Sequence, residues 1–280
     1  MRSPNLPNRW IVFLCLSSLT GALIAQVTEN ETMRETLTPT GTLRAAFLGR
    51  NPVQIRIDPQ TGEITGPAAD VARELGRRIG VPVTMQPLSG VPAVMDAVSN
   101  GSADIGFIAY DTTRAQRVAF TQAYIYGHNS YIVRMDSPIE TFEDADRRHI
   151  RIGATTGNAV DLFLNRALEN AELVHLARGI PDEEATRMLL ASELDAYAAN
   201  KQRLAVVVAS EPRVRVLDGS VLPVEQSIVV AQENENIISQ LDLFIDELRT
   251  SGLLQEIVER YTIAGVEVAP KGARGARGAR

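Results

Sequence analysis

Apolar and polar positions alternate in strand-length and helix-length blocks from about residue 42 to residue 261. Thr42 to Phe47, Val81 to Gln86 and Ile105 to Ala109 are short apolar runs of strand length. Between them, Pro67 to Ile79 and Val91 to Ser99 read as helices. Pro67 opens the first as proline does at a first helical turn, and Gly80 closes it. Val53 to Ile57 and Glu63 to Thr65 flank the turn-rich stretch Asp58-Pro59-Gln60-Thr61-Gly62 and predict a hairpin. Two further short strands are expected at Val118 to Thr121 and Asn129 to Arg134.

A second unit of the same kind follows. A capped helix near Thr141 to Ala145 leads to a strand at Ile150 to Ala154, and the turn Thr155-Thr156-Gly157 opens a helix from Asn158 to about Leu168. Strands at Glu172 to His175, Leu194 to Ala198 and Val214 to Leu217 alternate with helices from Pro181 to Leu190 and from Asn200 to Ala209. Ser227 to Ala231 is another apolar extended run, and helices at Glu235 to Thr250 and Leu253 to Tyr261 close the pattern. In both units a helix runs through a short polar turn into an Asp and then an apolar strand: Ser99 to Asp104, and Ala191 to Asp195. Regular alternation of strand and helix marks an α/β fold with helices on the faces of a mostly parallel sheet. The extended runs 129–134 and 227–231 are natural crossovers. They divide the chain into a discontinuous lobe 1 (residues 40–130 plus 230–262) and lobe 2 (131–229).

The candidate chemistry centres on Ala103 to Tyr124. Here the strand Ile105 to Ala109 ends in the polar turn Tyr110-Asp111-Thr112-Thr113, with Arg114 at the head of a brief helical segment. A guanidinium just past the carboxyl end of a strand stands where open α/β sheets bind ligands. Its planar fork suits a carboxylate. The competing reading is a surface pair between Asp111 and Arg114, worth under about 1 kcal/mol.

Composition sharpens the picture at both ends. Arg2 and Arg9 precede a mostly apolar run from Trp10 to Ala25, which reads as a signal peptide over residues 1–25 with cleavage after Ala25 or Ala22. Residues 26–39 are polar and read as a linker. Cys15 is the only cysteine and lies inside the apolar run, so the mature chain has no thiol, which fits export to a bacterial periplasm. With residues 1–25 removed, 26 basic against 34 acidic side chains give a net charge of −8. The last ten residues hold four cations, so the lobes themselves carry about −12, a body that repels nucleic acid and anionic lipid. The Gly-Ala-Arg repeat makes residues 263–280 an expected disordered basic tail. The histidines at 128, 149 and 175 lack ligand-like spacing, so no metal site is expected. No Gly-x-Ser-x-Gly, phosphate loop or dinucleotide fingerprint points to an enzyme or a cofactor.

The segments GTLRAAF, GPAADVARELGRRIG, SNGSADIGF, RAQRVAFTQAY, TTGNAVDLFL, LDAYAAN and SGLLQEIVERY together resemble, in order, the family 3 extracellular solute-binding proteins, the periplasmic receptors of polar amino-acid ABC importers. The similarity covers residues 40 to 262. It implies a periplasmic-binding-protein-like clamp (type II), two α/β lobes joined by two hinge strands. It also implies a small carboxylate ligand, an inner-membrane ABC permease as partner, and a monomer. In lobe 1 the residues expected at the site are Ala109, Tyr110, Asp111 and Arg114, with Arg50 on a nearby loop. In lobe 2 they are Thr156, Gly157, Asn158 and Ala159, whose helix opening would offer unpaired backbone N–H groups, and Asn200.

The departures from the family pattern bear on the ligand. Ala68 replaces a usual acid, and Arg50 and Val91 stand where aromatic side chains often do. Asn200 stands where the family places an Asp for the ligand's ammonium, and an amide cannot neutralise a cation. Arg50 would favour a dicarboxylate or acidic amino acid, whereas Asp111 facing the cleft would take over the ammonium; the residues leave both open. Two other functions share the fold: a cyclohexadienyl-dehydratase-like enzyme, for which Asp111 and His128 are the candidate acids, and a periplasmic sensor subunit.

Overall fold

The computed structural model describes residues 30–49 and 51–275. In its first half the parallel strands β1 (Leu43–Leu48), β4 (Val83–Leu88) and β5 (Ile105–Ala109) lie side by side with β1 in the middle. A hairpin of β2 (Arg56–Ile57) and β3 (Ile64–Thr65) leads into α2 (Pro67–Ile79), and α3 (Val91–Ser99) follows β4. The second half repeats the design. β7 (Arg151–Thr155) lies between its parallel neighbours β8 (Glu172–Leu176) and β9 (Ala196–Asn200). Helices α4 (Phe142–Ala145), α5 (Ala159–Ala167), α6 (Asp182–Leu190) and α7 (Lys201–Ser210) connect them.

Two strands, β6 (Val118–Arg134) and β11 (Leu222–Ala231), join the halves into one sheet of order β4-β1-β5-β11-β6-β9-β7-β8. The first, β6, is 17 residues long. It pairs antiparallel with β11 over its first two thirds, and with β9 and the short β10 (Val214–Val216) near its end. The two strands expected at 118–121 and 129–134 are thus one. The polar residues that suggested a break are absorbed by partners: the Gln122 backbone N–H donates to Asp242 at 2.7 Å, and its side chain donates to Asp246 at 2.9 Å.

The buried apolar side chains gather on the faces of each half. Leu43, Phe47, Leu75, Ile105 and Phe107 pack with Phe244 and Leu248 of α8 (Ile238–Thr250) and Ile257 of α9 (Leu253–Tyr261), so the C-terminal helices return to the first half. Tyr131, Ile152 and Leu164 lie on one face of the second half, and Leu189, Tyr197 and Leu204 on another.

Two terminal expectations are corrected. Residues 30–37, expected as linker, form a helix, α1, whose Met33 and Leu37 stand one turn apart and are buried in the first core. The tail expected to be disordered from residue 263 is placed as far as residue 275. Strand β12 (Val266–Val268) pairs with β6, Ala269 and Ala273 are buried against Ala123 and Tyr126, and Lys271 and Arg274 pair with Asp246 and Asp242 of α8. The acidic excess of the body supplies partners for the basic repeat. Residues 1–29, with the expected signal peptide over 1–25 and the start of the expected linker, and residues 276–280 lie outside the described residues. Among the described residues no helix is long and apolar enough to cross a membrane.

The repeated Asp now has a structural account. In the first half Asp104 accepts from the Arg44 backbone N–H at 2.7 Å and from its guanidinium at 3.0 and 2.5 Å, and the Asp104 N–H donates back to the Arg44 carbonyl at 2.8 Å. In the second half Asp195 accepts from the Arg151 backbone N–H at 2.9 Å and from its guanidinium at 3.0 and 3.3 Å, again with a 2.8 Å return bond. Each clasp ties the residue before the third strand of its half to the start of the first, at the end of the sheet away from the cleft. The hydrogen bonds that their guanidinium groups donate to the carboxylates raise the pKa of both Arg44 and Arg151. Replacing Asp104 by Ala is expected to destabilise the protein by about 1–3 kcal/mol, because a buried acceptor is lost while its donors stay. Urea denaturation of the variant, with Asp195→Ala in parallel, measures it; Asp195 is more exposed, and its loss is expected to cost less. Ending the chain at residue 262 removes a ladder partner of β6 and is expected to lower the melting temperature, read by circular dichroism.

Candidate functional site

The strand β5 is buried along its whole length and delivers the chain to the boundary between the halves. A tight turn follows, in which the Ala115 N–H donates to the Asp111 carbonyl at 3.0 Å and the Arg117 N–H to the Arg114 carbonyl at 2.9 Å. This turn points Arg114 inward, and its side chain is only 7% exposed. Nη1 donates to the Ala109 carbonyl at 2.8 Å, in the same half. Nη2 donates to the Gly157 carbonyl at 3.2 Å, in the other. Among the described residues no carboxylate pairs with it. Burial pushes its pKa below the ordinary value, partly opposed by the charge of Asp111; the group stays charged at any working pH.

Arg114 lines a cavity between the halves of about 220 Å³. Of the expected residues, Ala109, Asn158, Ala159 and Asn200 line the same cavity. Tyr110 and Asp111 line a neighbouring one of about 280 Å³, where Phe163, Leu222 and Pro223 make the wall largely apolar. Asp111 is occupied there: it accepts the Thr113 N–H at 2.9 Å and lies 3.5 Å from Arg166 of α5. Asp111 therefore lines the neighbouring cavity, which both halves also wall, and not the one that holds Arg114. Arg50 lies outside the described residues.

The helix opening differs from expectation as well. The Thr156 N–H donates to the Leu176 carbonyl at 3.0 Å, the Gly157 N–H to Asp161 at 2.8 Å, and the Asn158 N–H to the Thr155 carbonyl at 3.1 Å. These three amides are not open to an anion. Thr156 and Gly157 line neither cavity, and Gly157 acts through its carbonyl on Arg114.

Several lining residues escaped the sequence reading: Asn51, Ser89, Asn129, Arg203 and Gln226. Only Arg203 had a local signal, three residues beyond Asn200 on the same helical turn. Its guanidinium donates to Asp182 at 3.0 and 2.5 Å. Burial works to lower the Arg203 pKa, but the bonds to Asp182 outweigh it and the group ends above its ordinary value. The cavity is thus lined by one arginine whose charge is matched within the protein and one whose charge is not. None of its lining residues is an acid or a histidine.

Two α/β halves on two crossover strands, with a buried cation at their seam, define a two-lobed binding clamp of the periplasmic-binding-protein type. The family model for bacterial extracellular solute-binding proteins, family 3, matches residues 43–264, and the chain belongs to that family. A sequence comparison with curated proteins finds no match. Among solved structures, a protein described as the binding component of an ABC transporter from Wolinella succinogenes, complexed with lysine, is 19% identical with a TM-score of 0.67, covering 80% of this chain and 97% of its own. A mutant of ArgBP from T. maritima is 19% identical with a TM-score of 0.63, covering 83% and 98%. An ancestral amino acid-binding protein, a precursor of cyclohexadienyl dehydratase, is 19% identical with a TM-score of 0.64, covering 84% and 98%. At these identities the likeness extends to the fold.

Gly157 sits at φ +78°, and a Cβ there would lie 3.1 Å from the Arg178 guanidinium. Gly157→Ala is expected to cost about 1–2 kcal/mol through the left-handed backbone alone. Thermal unfolding of the variant measures this cost.

Proposed function

We propose that the chain is the periplasmic substrate-binding component of an ABC importer, which captures a small carboxylate-bearing solute as its lobes close and hands it to an inner-membrane permease. In this reading residues 1–25 direct export and the receptor acts as a monomer. The observation that carries it is the position of Arg114, a buried guanidinium without a carboxylate partner, bonded to one carbonyl from each half beside a small cavity. A carboxylate bound there supplies the missing countercharge, and contacts from both halves favour the closed state over the open one. Family membership and the folds of amino-acid-binding proteins support the same reading.

A dehydratase on this fold needs a general acid aimed at the leaving group. The cavity lining offers none, and neither Asp111 nor His128 is part of it, which favours the receptor.

A thermal-shift screen with amino acids, dicarboxylates and opines tests the proposal, since a ligand that binds only the native state raises the melting temperature. Arg114→Ala is expected to weaken binding of any hit by about 2–4 kcal/mol. Equal affinity in variant and wild type, by titration calorimetry, would remove Arg114 from the site.

A further inference from the structure

The polar groups around Arg114 are not interchangeable donors and acceptors, because the protein has already used one end of several of them. The Asn200 side-chain oxygen caps α7 by accepting the Arg203 backbone N–H at 2.9 Å. The Asn51 side-chain oxygen accepts the Val53 backbone N–H at 3.1 Å. A backbone N–H can only donate, so both amides are fixed with their NH₂ groups unspent. Gln226 is fixed by a relay: the Leu48 N–H donates to the Gln54 oxygen at 3.1 Å, so the Gln54 NH₂ must be the group that meets Gln226, and it donates to the Gln226 oxygen at 3.0 Å. Gln54 is fully buried, and the orientation propagates without a choice. Among the described residues the NH₂ groups of Asn51, Asn200 and Gln226 find no acceptor. Arg114 has spent two of its five N–H groups. Asn129 is the counterexample, since its NH₂ donates to the Leu222 carbonyl at 3.3 Å and leaves an oxygen.

The cavity therefore presents one unmatched cation, three fixed amide donors and a single fixed neutral acceptor, beside the side chains of Ser89 and Asn158, which can each donate or accept, and no carboxylate. Asp182, the acid that holds Arg203, is outside the lining and has both oxygens engaged by that guanidinium. An ammonium placed here would bring a second positive charge against N–H donors and would meet no carboxylate among the lining residues. An oxygen-rich anion satisfies the same groups.

Resting on the reading of this cleft as a solute site, we propose that it selects a small carboxylate without an ammonium group: an oxo acid, a hydroxy acid or a dicarboxylate in preference to an amino acid. One carboxylate meets Arg114, and the remaining oxygens accept from Asn51, Asn200 and Gln226. The neutral oxygen of Asn129 accommodates a hydroxyl.

Titration calorimetry with matched pairs tests this: pyruvate against alanine, 2-oxoglutarate against glutamate, malate against aspartate. At least one oxo or hydroxy acid is expected to bind tenfold or more tightly than its amino partner. Asn200→Asp should still fold, because Asp caps a helix as Asn does. It is expected to weaken the anion at least tenfold and to strengthen the amino acid. An amino acid that binds as tightly as its oxo or hydroxy partner overturns the inference while leaving the solute-binding reading in place. Unchanged anion affinity in Asn200→Asp also overturns it. If no member of any pair binds, the carboxylate reading of the cleft falls with it.

Discussion

A guanidinium carried at the end of one half of the molecule and gripped by a carbonyl of the other is the contact on which the organisation of this protein turns. Arg114 is bound by the carbonyls of Ala109 and Gly157, two partial negative charges in place of one full one. Carbonyl dipoles position a cation without cancelling it, so the site stays electrically unfinished. Arg203 shows the alternative on the wall of the same cavity: its charge is closed off by Asp182, so it shapes the wall and adds little unmet demand. The difference between the two arginines is the difference between a charge left unmatched and one matched within the protein, and it is set by which acid the fold brings near.

Holding an unmatched charge at the seam of two bodies requires that the bodies be individually firm. The Arg44–Asp104 and Arg151–Asp195 clasps do this twice with the same chemistry, tying neighbouring strands at the far end of each parallel triplet. The carboxyl ends of the strands are left to turns and helix starts, where open α/β sheets place their ligands. Asp161 serves the second half in the same way: it takes the Gly157 N–H and lies 2.7 Å from His175, so the loop that reaches Arg114 is held from behind.

Much of this was legible in the chain. The helices at Pro67–Ile79, Val91–Ser99 and Leu253–Tyr261 match their apolar pattern and stop signals to the residue, because proline and glycine act locally. The repeat of Asp104 and Asp195 was visible as a pattern. Its partners Arg44 and Arg151 were not, since they lie 60 and 44 residues away. Arg114 stood out because a buried strand ends just before it. Asn51, Asn129 and Gln226 did not, for a different reason: an amide carries both a donor and an acceptor, and which end faces the cavity depends on who takes the other end. That is a property of the folded chain alone. The long β6 was missed because Gln122, Gly127 and His128, between the two expected strands, look like loop residues until α8, β11 and β12 surround them.

The strands that join the halves also belong to the site. β11 carries two register shifts against β6, between Gln226 and Ser227 and between Ser227 and Val229. Around them the Thr121 hydroxyl takes part in the ladder, accepting the Ile228 N–H at 3.0 Å and lying 3.2 Å from its carbonyl. Such irregularities let a paired strand bend while its hydrogen bonds stay satisfied. Gln226 sits at the edge of the first shift, with its oxygen anchored to Gln54 in the first half and its NH₂ free in the cavity. On the receptor reading proposed above, a solute that engaged Gln226 would pull on the strand segment that carries these shifts. Binding and closure would then share a residue, and the free energy of one would be available to the other without any separate relay.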